Sequence, residues 1–337
     1  MNLIGEHTDY NGGFVLPVAT PQRTHVELRP TGGHEVHAVS AQEGCAPAFT
    51  IGAERPVGGW VDYVAGMTRT LAAMGHGLGG FELRVDSDLP AGCGLSSSAA
   101  LEVAVGRALR EAFDLDLNDV EIAEAGRRAE NEFVGVHCGP MDQLAAALAD
   151  TDQALLIDCR SLARMPVAIP PGCELVVIDS GQRHSLADGE YNTRREECER
   201  AASLLGAEFL CDVQQGDARI AALPPPLDRR ARHVVEENMR VEIAVDAMLR
   251  DDAPALGKLL DASHESQRAL FEVSTPEVDR LVHEVRDRGA LGARLTGGGF
   301  GGSIVALAGS GTAGTLSQPK LGARVLIPPA RREPSRE

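Results

Sequence analysis

The run Gly297-Gly298-Gly299-Phe300-Gly301-Gly302 sets five glycines in six positions. Glycine gives up more backbone entropy on folding than any other residue, so no helix or packed strand is built from such a run. The chain must turn tightly there and leave its backbone open to close approach. Residues 294–296 lead into this loop, and the apolar run 304–308 reads as a strand leaving it. A second loop, Pro90-Ala91-Gly92-Cys93-Gly94-Leu95-Ser96-Ser97-Ser98-Ala99-Ala100, follows the alternating stretch 81–85 and opens a helix. Its glycines can turn N–H groups inward, the helix start adds a positive dipole end, and three serines add hydroxyls. No Gly-Lys-Ser/Thr occurs in it, so it is not a Walker A loop. Two such loops, far apart in sequence, point to a nucleotide gripped from two lobes.

Between and around these loops the pattern is mixed. Strands are predicted at 14–18, 24–28, 81–85, 154–158 and 174–179, where short apolar or alternating runs end at glycine, proline or aspartate. Helical spacing covers 63–74, then from Ser96 through Leu101, Val105, Leu109 and Phe113. Asn118 is placed to cap a second helix, and Pro140 suits the first turn of a third, 141–150. Past Leu186 the chain is mostly helical, with 230–250, 253–267 and 276–288 as the clearest segments. Residues 310–337 lack aromatics and are rich in Gly, Pro, Ala and Ser, which predicts a loose, disordered tail.

The net charge of −17 over 337 residues disfavours a phosphate-backbone ligand as the main partner, so nucleic acid is not expected. No apolar run is long enough to span a membrane, and the first twenty residues, with Glu6 and Asp9 and no Lys or Arg, are unlike a secretory signal. Seven cysteines without a C-x-x-C pair fit free thiols in a reducing cytoplasm. Serine and histidine are plentiful, but no G-x-S-x-G elbow precedes a helix, and His137-Cys138 has no second pair at metal-ligand spacing. Arg183-His184-Ser185 reads as a structural loop, and Arg229, Arg230, Arg232 and His233 as a solvated helix start.

The segment Gly5-Glu6-His7-Thr8-Asp9-Tyr10-Asn11 concentrates carboxylates, imidazole and amide directly after Leu3-Ile4. Such groups suit the hydroxyls of a sugar, and a site built from them rejects substrates that lack the hydroxyl. Asn2 to Asn11 (NLIGEHTDYN), followed by Gly13-Phe14-Val15-Leu16-Pro17, closely resembles the galactokinase signature. GLSSSAALE, Cys138-Gly139-Pro140-Met141-Asp142-Gln143 and TGGGFGG resemble further motifs of that family, in the same order. GEHTDY separates galactokinases from most other GHMP small-molecule kinases. The resemblance implies ATP-dependent transfer of the γ-phosphoryl group to the anomeric hydroxyl of galactose. It also implies an α+β, two-lobe GHMP kinase fold. An N-terminal α/β lobe (ribosomal protein S5 domain 2-like), here 1–165, and a ferredoxin-like C-terminal lobe, 166–309, would hold the site between them.

The resemblance carries roles residue by residue. Asp142, in the first turn of a predicted helix, matches the catalytic base. Glu6, His7 and Asp9 match the sugar-binding triplet, Gly139 a backbone contact to the sugar, and Tyr191 a tyrosine at its edge. Gly92, Gly94, Leu95, Ser96, Ser97 and Ser98 would hold the ATP phosphates, with Gly297, Gly298 and Gly299 closing on them. Mg²⁺ would sit between Ser98 and Glu130, hard oxygen donors of the kind it prefers. The implied partners are galactose and ATP, and the implied assembly is a monomer or weak oligomer.

Two departures stand out. Galactokinases carry Gly-Arg-Val immediately before Asn-Leu-Ile-Gly-Glu-His, whereas here Met1 stands where that valine would be. The arginine, which the family places near the transferring phosphate, is therefore absent, together with a first strand. Losing one preorganised donor costs about 10²–10³ in rate. After Ala308 no strand resembling the family's ending is evident. The alternative function is accordingly a non-catalytic galactose- and nucleotide-binding remnant or sensor. N-acetylgalactosamine or arabinose kinases share the same framework. An economical account is a shortened or mis-bounded galactokinase whose valine codon is read as the start and whose tail comes from a frame change. It predicts an in-frame Gly-Arg codon pair directly upstream of Met1 in the gene; sequencing that DNA and finding none would contradict it.

Overall fold

The first apolar run after the polar cluster forms strand β1 (Phe14–Val15) in the computed structural model, which describes residues 1–89, 94–182, 189–309, 311–316 and 323–327. Gly92 and Cys93 of the first glycine loop and the Arg183-His184-Ser185 stretch lie outside the described residues. The chain divides into two compact units, one of Gln22 to residue 89 with Ser96–Leu148, the other of Met1–Pro21, Gly94, Leu95 and the described residues from Ala149 on.

The unit beginning at Gln22 holds β2 (Thr24–Pro30), β3 (Glu35–Ser40), β4 (Gly44–Cys45), β5 (Phe49–Thr50), α1 (Val61–Ala73), β6 (Phe81–Ser87), α2 (Ser97–Phe113), α3 (Asp119–Ala129) and α4 (Met141–Leu148). Its sheet runs β2-β6-β3-β4, with β5 also on β3; β6 is antiparallel to β2 and parallel to β3. Phe81, Leu83 and Val85 alternate with exposed residues along β6, so one face of the sheet is buried and the other is solvated. Phe81 meets Phe113 of α2 edge to face. Asn118 caps α3 as its sequence position predicts. Its Oδ1 accepts from the N–H groups of Val120 and Glu121, and Glu121 accepts from the Asn118 N–H. The α3 helix runs on into a π-helical turn, Glu130–Val134, stopped by Gly135 at a left-handed φ of 91°.

The other unit carries β7 (Gln153–Asp158), β8 (Arg164–Ala168), β9 (Cys173–Asp179), α5 (Glu190–Leu205), α6 (Leu227–Leu249), α7 (Ala253–Ser266), α8 (Pro276–Asp287), β10 (Gly292–Thr296), β11 (Ser303–Gly309), α9 (Ala313–Leu316) and β12 (Ala323–Ile327), besides β1. A three-stranded antiparallel sheet has the order β1-β7-β8, and a four-stranded antiparallel sheet the order β10-β11-β9-β12. Counted along the chain, the second order is 4-1-3-2, the ferredoxin-like arrangement expected for the C-terminal part. Val176, Ile178, Leu295, Ile304 and Ala306 form its core with helix residues such as Leu281 and Val285. Helix α7 passes into a second π-helical turn, Gln267–Phe271. Among the described residues no helix is long and apolar enough to cross a membrane.

Two expectations need correction. A loose tail is expected from 310, yet Ala323–Ile327 pairs with β9 from Leu175 to Ile178 and Ala313–Leu316 is helical; 310, 317–322 and 328–337 lie outside the described residues. The fourth position of the sheet needs a strand, and a short apolar run supplies it despite the Gly- and Pro-rich surroundings. The expected break at 165/166 also differs from the division found. Residues 1–21 belong with the later part because Phe14 and Val15 pair with Asp158 and Ile157, and Arg294 reaches the carbonyl of Leu3 at 3.1 Å. Helix α7 and strand β10 pack backbone to backbone where Gly257 faces Gly292, and a Cβ at Gly257 would overlap the Leu291 carbonyl. Gly257→Ala should therefore cost about 2 kcal/mol or more and lower the melting temperature by at least about 4 °C. Gly314→Ala, with open space around it, should change the melting temperature little. Equal melting of the two variants in a thermal unfolding scan would contradict this packing.

Candidate active site

In the unit that holds the N-terminus, the Gly5–Asn11 loop is buried although six of its seven residues carry polar side chains. It survives burial because most of its polar groups are paired. Glu6 Oε1 accepts from the Gly297 N–H at 2.7 Å and lies 3.3 Å from Nη1 of the fully buried Arg294, while Oε2 accepts from the Asn2 amide. Burial pushes the Glu6 carboxyl up; Arg294, the Gly297 N–H and Asn2 pull against it. With the Gln267 amide oriented to satisfy both neighbours, its oxygen accepts from Arg294 Nη2 at 3.0 Å. Thr296 Oγ1 donates to the Asn2 carbonyl at 2.8 Å, so the N-terminal segment and the second glycine loop are tied at two points.

His7 has a left-handed φ of 65° and stacks on Phe271 at 4.4 Å, with Tyr191 at 5.5 Å. Its Nδ1 is 2.8 Å from the Tyr10 hydroxyl. Burial, together with the nearby His233, Arg194 and Arg294, pushes the His7 pKa well down, so the imidazole is neutral. Its buried Nε2 has no hydrogen-bond partner among the described residues. A buried ring nitrogen left open in this way suits a polar ligand atom. Asp9, also buried, opens the short 3-10 turn Asp9–Asn11, and Tyr191 sits in the first turn of α5, 5.8 Å edge to face from Tyr10.

The two glycine loops meet in this unit. Gly94 (φ 70°) and Gly297 (φ 85°) approach so closely that a Cβ on Gly94 would stand 3.1 Å from the Thr296 carbonyl, and one on Gly297 3.0 Å from the Gly94 carbonyl. Only glycine fits both the dihedral and the space. Phe300 N–H donates to the Val273 carbonyl at 2.6 Å and Gly302 N–H to the Gln182 carbonyl at 3.1 Å, fixing the rim of the loop.

The other unit holds Ser96, Ser97, Ser98, Glu130, Gly139 and Asp142. Ser96 precedes α2 in a left-handed conformation and makes no side-chain cap, so the first N–H groups of α2 receive no hydrogen bond from its hydroxyl. The π-helical turn opens at Glu130, whose carboxylate accepts from Ser98, from Gln143 Nε2 at 2.7 Å and from the Cys138 thiol at 3.5 Å. The same Gln143 Nε2 is 2.9 Å from Glu102 Oε2. Burial first, and then neighbouring acids, push both glutamates up: Asp142 acts on Glu130, and Glu130 on Glu102. Gly139 is buried at the entry to α4, and Asp142 lies half-buried in its first turn.

Sequence comparison bears on these motifs in turn. Residues 1–30 match the galactokinase galactose-binding signature, 62–150 the GHMP kinases N terminal domain and 244–318 the GHMP kinases C terminal domain. A galactokinase of Haemophilus influenzae (strain PittEE) is 43% identical over 318 residues, covering 91% of this chain and 83% of its own length. The chain belongs to the galactokinase family. The galactokinase of Lactococcus lactis, solved in complex with galactose, superposes with a TM-score of 0.87 at 32% identity, covering 96% of this chain and 89% of that one. The mevalonate kinase of Methanococcus jannaschii shares the GHMP fold at 20% identity and a TM-score of 0.71.

Within this galactokinase fold, Glu237, Phe271 and Arg294 stand around Glu6 and His7, and Glu102 and Gln143 beside Glu130, with no role for them evident in the sequence; His233 joins the first group, because the helix start expected to be solvated buries both His233 and Arg230. Arg294 could have been suspected as a charge inside a strand otherwise made of Gly, Ala, Leu and Thr. His233 and Glu237, one turn apart on α6, are polar residues on the face its periodicity buries. Burial holds the His233 pKa down at about 4, against 6.5 unfolded. The unfolded chain thus binds more protons at this site between those values, and its contribution to stability falls as pH drops through the window. Relative to His233→Gln, the wild type should lose roughly 2 kcal/mol between pH 7 and pH 5 in urea unfolding. A stability difference independent of pH would show that His233 is not buried in its neutral form.

Proposed function

We propose that this chain phosphorylates galactose at the anomeric hydroxyl, using ATP and releasing galactose 1-phosphate and ADP. The observation that carries the reading is the buried Gly5–Asn11 loop, matched by the galactokinase galactose-binding signature, with the Nε2 of a neutral His7 left open for a hydroxyl. A neutral imidazole can donate to or accept from a hydroxyl at that nitrogen. Asp9, Tyr191 and Gly139 complete the proposed sugar contacts. Glu6, already engaged on both oxygens, fixes the loop as well as lying at the sugar.

Asp142 of the Met-Asp-Gln motif is the proposed base that accepts the anomeric hydroxyl's proton as that oxygen attacks the γ-phosphorus. Phosphoryl transfer asks the protein mainly for positioning and charge stabilisation. Backbone N–H groups at Gly94, Leu95 and the start of α2, with Ser96, Ser97 and Ser98, are the proposed phosphate cradle, closed by Gly297, Gly298 and Gly299. For Gly92 the same role is inferred from the motif alone. The oxygen donors around Glu130 fit Mg²⁺: two adjacent buried carboxyls with raised pKa values, and Glu102 Oε1 and Gln143 Oε1 without partners among the described residues. Ser98 and Glu130 would hold the ion, which when bound would neutralise charge on the transferring phosphates. A non-catalytic sugar sensor is the less favoured reading, because the relatives matched across most of the chain are galactokinases. The free thiols among the described cysteines fit a cytoplasmic setting, and a monomer or weak oligomer is proposed.

The test is ADP release by the purified chain with Mg-ATP, with and without galactose. Turnover should depend on galactose, and Asp142→Asn should lower kcat by about 10²–10⁴ while retaining galactose binding. ADP release indifferent to galactose, or an unimpaired Asp142→Asn, would contradict the assignment.

A further inference from the structure

We infer that Glu237, flanked by Asn238 and preceded one turn earlier by His233, is a positioning residue for galactose recognition. It acts by clamping the backbone on which His7 stands. The inference rests on the assignment of galactose to the Gly5–Asn11 loop.

The strained point of that loop is His7, a non-glycine residue in the left-handed region. Such a conformation persists only where its surroundings over-determine it, and here one face of α6 does so. Glu237 Oε1 accepts from the Gly5 N–H at 3.0 Å, two residues before His7. His233 Nε2 lies 3.3 Å from the Glu6 carbonyl, the peptide unit that leads into His7. A carbonyl can only accept, so Nε2 carries the proton, and Nδ1 accepts from the Ser266 hydroxyl at 2.8 Å. Asn238 Oδ1 accepts from the Phe14 N–H at 2.7 Å, holding the far end of the same loop. Gly5 (φ 102°) and Gly13 lie flat against this helix face. A Cβ on Gly5 would stand 2.8 Å from Val241 Cγ2, and one on Gly13 2.5 Å from Asn238 Oδ1. The clamp also reaches the ring: Phe271 is stacked between His7 and His233, at 4.4 and 4.5 Å.

Glu237 is itself fixed from behind. Ser263 Oγ donates to the same Oε1 at 2.6 Å, and Arg240 Nε donates to Oε2 at 2.7 Å. Burial would raise its pKa, but Arg240, Arg294, His233 and the Ser263 hydroxyl outweigh burial and hold it at about 2. An ionised, immobilised acceptor therefore points at the Gly5 N–H. Without it, His7 is free to relax to an ordinary φ, and Nε2 leaves the place where a sugar hydroxyl would meet it. Misplacement on the 1 Å scale costs about 10²-fold at a reacting or binding centre.

The experiment compares Glu237→Leu, Glu237→Gln and Asn238→Ala with the wild type in steady-state assays of galactose-dependent ADP release. Glu237→Gln keeps an oxygen acceptor for the Gly5 N–H and Ser263, and should stay within about threefold of wild type in KM for galactose. Glu237→Leu should raise that KM by about tenfold or more with KM for ATP within about twofold. If Glu237→Leu does not fold, Asn238→Ala at its half-buried position carries the same expectation. In a His7→Ala background the effect of Glu237→Leu on galactose KM should vanish, because the clamp acts through His7. A folded Glu237→Leu with wild-type galactose KM, KM values for both substrates rising together, or full additivity with His7→Ala would overturn the inference. Wild-type protein without galactose-dependent turnover would instead overturn the galactose assignment. The clamp is then read by hydrogen exchange of the Gly5 amide. That amide should be protected in wild type and Glu237→Gln and fast in Glu237→Leu; equal exchange in all three would overturn the clamp.

Discussion

The Glu6–Arg294 pair is the interaction on which the buried Gly5–Asn11 loop depends. Both groups are buried, so neither could be kept there alone: stripping one partner from a buried ion pair typically costs about 3–5 kcal/mol. Because Glu6 also takes the Gly297 N–H, the pair does more than neutralise two charges. It fixes the register between the Gly5–Asn11 loop and the TGGGFGG loop within one unit. Arg294 adds a bond to the Leu3 carbonyl, which explains why residues 1–21 belong with strands formed some 150 to 300 residues later.

A second physical theme is the use of irregular backbone to place chemistry. Both π-helical turns extend an ordinary helix by one wide turn; Glu130 opens one and Phe271, stacked on His7, closes the other. Such wide turns are uncommon and concentrate at functional positions. His7 and Ser96 adopt left-handed dihedrals without being glycine, and Gly94 and Gly297 touch where any side chain would collide. These features cost stability locally and are held by hydrogen bonds and stacking around them.

Much of this was legible in the sequence, and the reasons are specific. The capped start of α3 could be read because Asn118 and Glu121 act on their own helix, and the glycine loops because only glycine tolerates their geometry. Tyr191 beside His7, and Ser98 bonded to Glu130, were reached through motif resemblance and then found together in space. What escaped was non-local. Strand β12 is a five-residue run, apolar except for Arg324, in a Gly- and Pro-rich context, and only pairing with β9 makes it a strand. The buried partners His233, Glu237 and Arg294 look like ordinary polar residues until the fold closes over them. The packing of residues 1–21 with the later unit depends on hydrogen bonds that no local pattern announces.

The central claim, that this chain moves a phosphoryl group onto the anomeric oxygen of galactose, is tested most directly by the identity of the product. Phosphorus NMR of a reaction containing the purified chain, Mg-ATP and galactose should show one new phosphate monoester resonance coupled to the anomeric proton, growing in step with ADP. A phosphate ester at another carbon, or ADP accompanied only by inorganic phosphate, would contradict the account.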